Sequence, residues 1–157
     1  MGRRTATLLA LALTLAPGCA HKPPYEGRTV AELERMLDDP KPAVRVQGAQ
    51  GLSLHGPEAR PAAPALTRAL RSPDALLRTQ AALALGAVGP DARESVPDLA
   101  TCLNDPEWSV RRQAALALGA IGPDARAAVP DLRRLQANDP NGLVRKAVGQ
   151  ALPNIER

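Results

Sequence analysis

The chain has no phenylalanine, and Trp108 and Tyr25 are its only aromatic residues in 157. A core must therefore be assembled from small and aliphatic side chains, which suits closely approaching helices and argues against a sheet, where aromatic and β-branched residues are favoured. Histidine and cysteine are as scarce. His21 and His55 alone make a poor metal site, and no Gly-rich phosphate loop precedes a helix. Ser53 and His55 lie at one helix end with no third group at a recognisable spacing, so they do not read as a nucleophile and its base. No catalytic, cofactor-binding or metal-binding residue is expected. Charge is also thin: a net +4, with Arg3 and Arg4 in the N-terminal segment, gives no dense basic stripe for nucleic acid.

What is present begins with an address. Arg3 and Arg4 form a positive n-region and Ala6 to Ala16 an apolar run, which together read as an export signal. The run is too short for a membrane span, which needs about twenty apolar residues. It ends in Leu15-Ala16-Pro17-Gly18-Cys19. This resembles the lipobox of bacterial lipoproteins, which implies cleavage after Gly18 and lipid attachment at Cys19. Ala16 and Pro17 depart from the commonest residues, and Ala16 with Gly18 would also suit the general signal peptidase, giving a soluble periplasmic or secreted protein. Ala20 after the cysteine implies the periplasmic side of the outer membrane. The expected organisation is a signal peptide at 1–18, a lipidated Cys19 and tether at 19–28, and a repeat domain at 29–157. With Cys19 acylated, Cys102 has no disulfide partner, and its place among Leu99 and Leu103 reads as a small buried hydrophobe.

The repeat is the strongest signal. Arg78-Thr-Gln-Ala-Ala-Leu-Ala-Leu-Gly-Ala-Val-Gly-Pro-Asp-Ala-Arg93 returns as Arg111-Arg-Gln-Ala-Ala-Leu-Ala-Leu-Gly-Ala-Ile-Gly-Pro-Asp-Ala-Arg126, a period of 33. Pro40, Pro73 and Pro106 keep that step, as do Arg45, Arg78 and Arg111, and Leu33, Leu66, Leu99 and Leu132; Pro140 and Arg145 follow one residue later than the step predicts. Each unit reads as two helices. The first spans about Asp74 to Val88 or Glu107 to Ile121, ended by Gly89-Pro90 or Gly122-Pro123. The second covers about Glu94 to Asn104 or Ala127 to Ala137, with Pro97 or Pro130 in its first turn. The sixteen prolines thus become punctuation. The layout is a half unit at 29–38, units at 39–71, 72–104 and 105–138, and a half unit at 139–157.

Asp105-Pro106, Val110-Arg111, Ala114-Ala-Leu-Ala-Leu-Gly119, Ile121-Gly122-Pro123 and Ala128-Val-Pro-Asp-Leu132 resemble the short HEAT-like repeats named after phycobilin lyases. Canonical HEAT and armadillo units are longer, at about 40 to 47 residues. The resemblance implies an all-α, right-handed α-solenoid, with first helices on the convex side and second helices on the concave side. It also implies that the column Arg45, Arg78, Arg111, Arg145 is structural, capping carbonyls or pairing with Asp39, Asp105 or Asp139.

Such stacks bind or scaffold other molecules more often than they react with them. The candidate concave binding face is Arg35, Arg68, Arg71, Thr101, Arg133 and Arg134, which would favour an acidic protein partner. A candidate exposed apolar edge for self-association is Val148, Leu152 and Ile155. The functional expectation is an exported, lipid-anchored, non-enzymatic adaptor that binds protein and not nucleic acid. The alternatives are a lyase-like or enzyme-accessory role, and binding of a nucleic-acid phosphate backbone.

Overall fold

The computed structural model describes Pro23 and residues 25–157. Gly18, Cys19 and the export signal lie outside the described residues. The elements are α1 (Val30–Met36), α2 (Pro42–His55), α3 (Ala63–Ala69), α4 (Ala75–Val88), α5 (Val96–Cys102), α6 (Trp108–Ile121), α7 (Val129–Asn138) and α8 (Gly142–Ile155). Among the described residues there are no strands, and the architecture is an α-solenoid.

Local chemistry sets the boundaries. Thr29 and Glu32 form a reciprocal capping box at the start of α1. Asp74 caps α4 through the amides of Leu76 and Leu77, and Asn141 caps α8 through that of Leu143. Gly89 and Gly122 end α4 and α6 at φ +74° and +82°, a backbone region where a side chain would be strained. Each Gly-Pro ends its helix as expected and then opens a 3-10 segment, Gly89–Ser95 or Gly122–Ala128. For this reason α5 begins at Val96 rather than near Glu94.

The core is a set of repeating columns. Leu33, Leu66, Leu99 and Leu132 are all fully buried, and Leu52, Leu85 and Leu118 form a second buried file between the two layers. The layers are built differently. The long helices α2, α4, α6 and α8 stack directly on one another, whereas successive short helices α1, α3, α5 and α7 make at most marginal backbone contact. A row whose members touch is the short side of a bend, and a row whose members stand apart is the long side. The long helices therefore line the inner, concave surface and the short helices the outer one, which reverses the sequence-based expectation.

Small residues set the close approach. A Cβ on Gly119 would lie 2.7 Å from Ala151 Cα, inside contact distance of another helix's backbone. A Cβ on Gly149 would meet only Gln136 Nε2, at 3.6 Å. Gly119→Ala should accordingly cost about 1–3 kcal/mol by forcing α6 from α8, while Gly149→Ala should be neutral or stabilising by up to about 1 kcal/mol through helix propensity. Urea unfolding of the two variants beside wild type checks the opposed signs.

Candidate functional site

The arginine column lies at the inter-repeat turns. Arg78 Nε and Nη2 donate to the Asp105 carboxylate at 2.7 and 2.9 Å, while its Nη1 donates to the carbonyls of Ser72 and Pro73. Arg111 does the same one repeat on, with Asp139 at 2.7 and 3.1 Å and the carbonyls of Asp105 and Pro106. Each fork therefore ties its own turn to the next one. Arg45 and Arg145 keep only the carbonyl bonds. For Arg45 the reason is visible: Ser72 stands where Asp105 and Asp139 stand in later repeats. The hydrogen bonds from Arg111 hold the Asp139 carboxyl below its ordinary value of 3.8 despite its burial.

The short-helix candidates lie on the outer row and are mostly engaged with neighbours. Arg71 pairs with Asp98 at 2.8 Å, Arg133 with Glu156 at 2.8 Å, and Arg134 with Asn104 and Asp131 at 2.7 and 3.2 Å. Arg68 stands 4.0 Å from Asp38, and the Thr101 hydroxyl donates to the Pro97 carbonyl. Arg35 is exposed on α1. The six do not form the concave face expected of them, because the short helices splay outward. Arg68 also lines a cleft of about 870 Å³ with Arg60 and Arg93, but Asp91 and Glu94 share its wall.

The expected apolar edge is also corrected. Val148 and Ile155 are fully buried and Leu152 is 7% exposed, because α8 turns that stripe onto α6 and α7. Its exposed positions include Leu143, Lys146, Gly149, Gln150 and Pro153. The remaining chemistry-bearing side chains are locally satisfied. The Ser53 hydroxyl donates to the Gln50 carbonyl, and His55 lies within 3.1 Å of the Arg28 carbonyl. Burial pushes the Cys102 thiol up to about 11, so it stays protonated near neutral pH. Among the described residues, no group of three His, Cys, Asp or Glu could hold a metal ion, and no helix is long and apolar enough to cross a membrane.

The accessible surface of another kind is on the inner row. Leu54 (α2), Leu76 and Leu83 (α4), Trp108 (α6) and Leu143 (α8) are the exposed large apolar side chains among the described residues, at 72, 55, 37, 41 and 52% exposure. All five stand on long helices, and Leu76 and Leu83 are seven residues apart on one face of α4. Gln47, Gln80 and Gln113 recur at the repeat step along the same row. The Oε1 of Gln80 is buried with no hydrogen-bond partner among the described residues.

Residues 63–153, more than half of the chain, match HEAT repeats. The chain belongs to the HEAT-repeat family. Among solved structures, its HEAT stack resembles an engineered protein of the Northeast Structural Genomics Consortium, with TM-score 0.70 and 25% identity over 81% of this chain and 62% of that one. The complex of CpcE and CpcF of phycocyanin lyase from Nostoc sp. PCC7120 aligns with TM-score 0.69 and 28% identity, over 82% and 53% of the two chains. A designed armadillo repeat protein in complex with the peptide (KR)4 shares the fold, with TM-score 0.70 at 18% identity over 80% and 64%. The chain spans less than two thirds of the length of each of these structures. Comparison with curated proteins gives no match.

In this HEAT stack the Arg–Asp forks are structural. Asp139→Asn should cost on the order of 3 kcal/mol, since it leaves Arg111 facing a neutral amide at a site where the Asp139 side chain is 1% exposed. Because the folded-state pKa of Asp139 is depressed, its contribution is present above about pH 4 and is lost as pH falls through the lower folded value. Thermal melts from pH 7 to pH 2 should show wild-type stability falling more steeply below pH 4 than that of Asp139→Asn.

Proposed function

We propose that this protein is an exported, lipid-anchored, non-enzymatic HEAT-repeat adaptor that holds a protein partner against the inner face of its long helices. The observation that carries the reading is the gathering of Leu54, Leu76, Leu83, Trp108 and Leu143 on that row. A HEAT stack has no need of exposed leucines and a tryptophan on one layer, and apolar side chains grouped on a surface are the mark of an interaction site. Tryptophan is a common energetic anchor of such surfaces.

The cellular address rests on the sequence of residues 1–19. Removal of the segment before Cys19 and acylation of that residue would tether the stack, through the Pro23-Pro24 stretch, at the periplasmic side of the outer membrane. An enzyme-accessory role is the second reading, favoured by the 28% identity to the phycocyanin lyase complex. It would have the inner face hold an enzyme or its substrate rather than another structural partner.

Two measurements test the proposal. Cys19→Ser should move the protein from the membrane fraction to the soluble periplasmic fraction; persistence in the membrane would overturn the anchor. Trp108→Glu combined with Leu83→Glu should weaken partner capture from detergent-solubilised membranes at least tenfold, with thermal stability within a few degrees of wild type because both sites are exposed. Unchanged capture would overturn the inner-face reading.

A further inference from the structure

The inner face also carries a charge pattern that the repeat does not require. All sixteen Asp and Glu residues of the chain lie outside α2, α4, α6 and α8. The acids that come nearest are Asp74 and Glu107, at the N-cap positions of α4 and α6, and Glu156, at the C-cap of α8. Asp74 is turned to the amides of its own helix. The acids of the other layer serve the outer surface and the turns, where Asp98 and Asp131 meet Arg71 and Arg134, and Glu156 at the end of α8 is drawn to Arg133 of α7. On the long helices Arg45, Arg78, Arg111 and Arg145 are bonded into the inter-repeat turns. That leaves Arg112 on α6 and Lys146 on α8, both exposed, occupying the same repeat position and making no ion pair or side-chain hydrogen bond among the described residues. Val46 and Thr79 fill that position in the earlier repeats.

Building on the inner-face reading, we infer that this surface receives an acidic, amphipathic peptide segment of a partner protein. Its apolar side chains would lie on Leu76, Leu83, Trp108 and Leu143, and its carboxylates on Arg112 and Lys146. With its acids confined to the helix ends, the row offers little repulsion to a carboxylate along its length, and two unpaired cations beside apolar side chains supply both attraction and anchoring. Adjacent helices at about 8–10 Å, together with the reach of the long Arg and Lys side chains, suit carboxylates about four residues apart on one face of an extended strand. A bilayer is the poorer occupant because a flat surface cannot follow the inner side of a bend. A nucleic-acid backbone is poorer because two cations neutralise few phosphates.

Trp108 is the only tryptophan, so its emission reports occupancy directly. Purified protein with Cys19→Ser would be titrated with a synthetic peptide of about nine residues in which Leu and Glu take turns at every second position with Ser between them, so that both line one face, with its Lys-Leu counterpart, with phosphatidylglycerol vesicles and with a single-stranded DNA oligomer. The Glu-Leu peptide should shift the emission to the blue and bind at least tenfold more tightly than the Lys-Leu peptide, with affinity falling as salt rises. The double variant Arg112→Glu and Lys146→Glu, whose sites are both exposed, should melt like wild type and reverse the preference. Equal binding of the two peptides, no reversal in the folded double variant, or a preference for vesicles or DNA would overturn the inference. The two readings fail separately. If Trp108→Glu with Leu83→Glu abolishes partner capture but the charge-reversed variant captures as well as wild type, the inner face stands and the acidic partner falls. If capture survives the Trp108 and Leu83 changes, the inner-face reading itself falls.

Discussion

The structure depends on how closely the long helices can approach. Gly86 faces Ala117 and Gly119 faces Ala151, so that neighbouring backbones meet with nothing larger than a methyl group between them. This proximity accounts for the run Ala-Ala-Leu-Ala-Leu-Gly and for a chain with no phenylalanine: an aromatic ring in that seam would hold the helices apart. It also determines the bend. The long helices are drawn together while the short helices, joined to them through 3-10 segments, stand apart. The Arg78–Asp105 and Arg111–Asp139 forks then fix the ends of the stacked helices, each arginine bridging two turns. Packing sets the spacing, and the buried ion pairs set which turn lies over which.

The two surfaces that follow are chemically distinct. The outer layer is a mosaic of arginines and carboxylates that largely satisfy one another at exposed sites, where each pair contributes about 0–1 kcal/mol. Such a surface holds few unmet groups. The inner layer is the reverse, with exposed leucines, one tryptophan and no acid within its helices. A partner gains most where the free protein is least satisfied.

Most of the fold was legible because its determinants are local and repeated. Gly-Pro pairs, N-cap residues and leucine columns all recur at one step, and each maps directly onto a helix end or a buried position. The two layers were not assigned correctly, because curvature arises from the difference in spacing between rows and no single column encodes it. The arginines of the short helices drew attention because charge is conspicuous in a sequence, whereas their neutralisation by Asp98, Asp131 and Glu156 is a matter of three-dimensional proximity. Val148, Leu152 and Ile155 formed a correct apolar face, but its direction depends on the rotation of α8 against α6. The inner-face residues did leave a trace: Leu76, Trp108 and Leu143 sit next to the caps of their helices, off the buried leucine columns, and the absence of Asp and Glu from four whole helices can be read without coordinates.

The central claim is that the inner row of long helices, and not the outer row of short ones, is the working surface. Site-specific photo-crosslinking in intact cells tests it directly, with the reactive group placed in turn at Leu83 on α4 and at Thr101 on α5. The account predicts that light yields a discrete heavier adduct from position 83 and none from position 101. An adduct from position 101 with none from position 83 would contradict it.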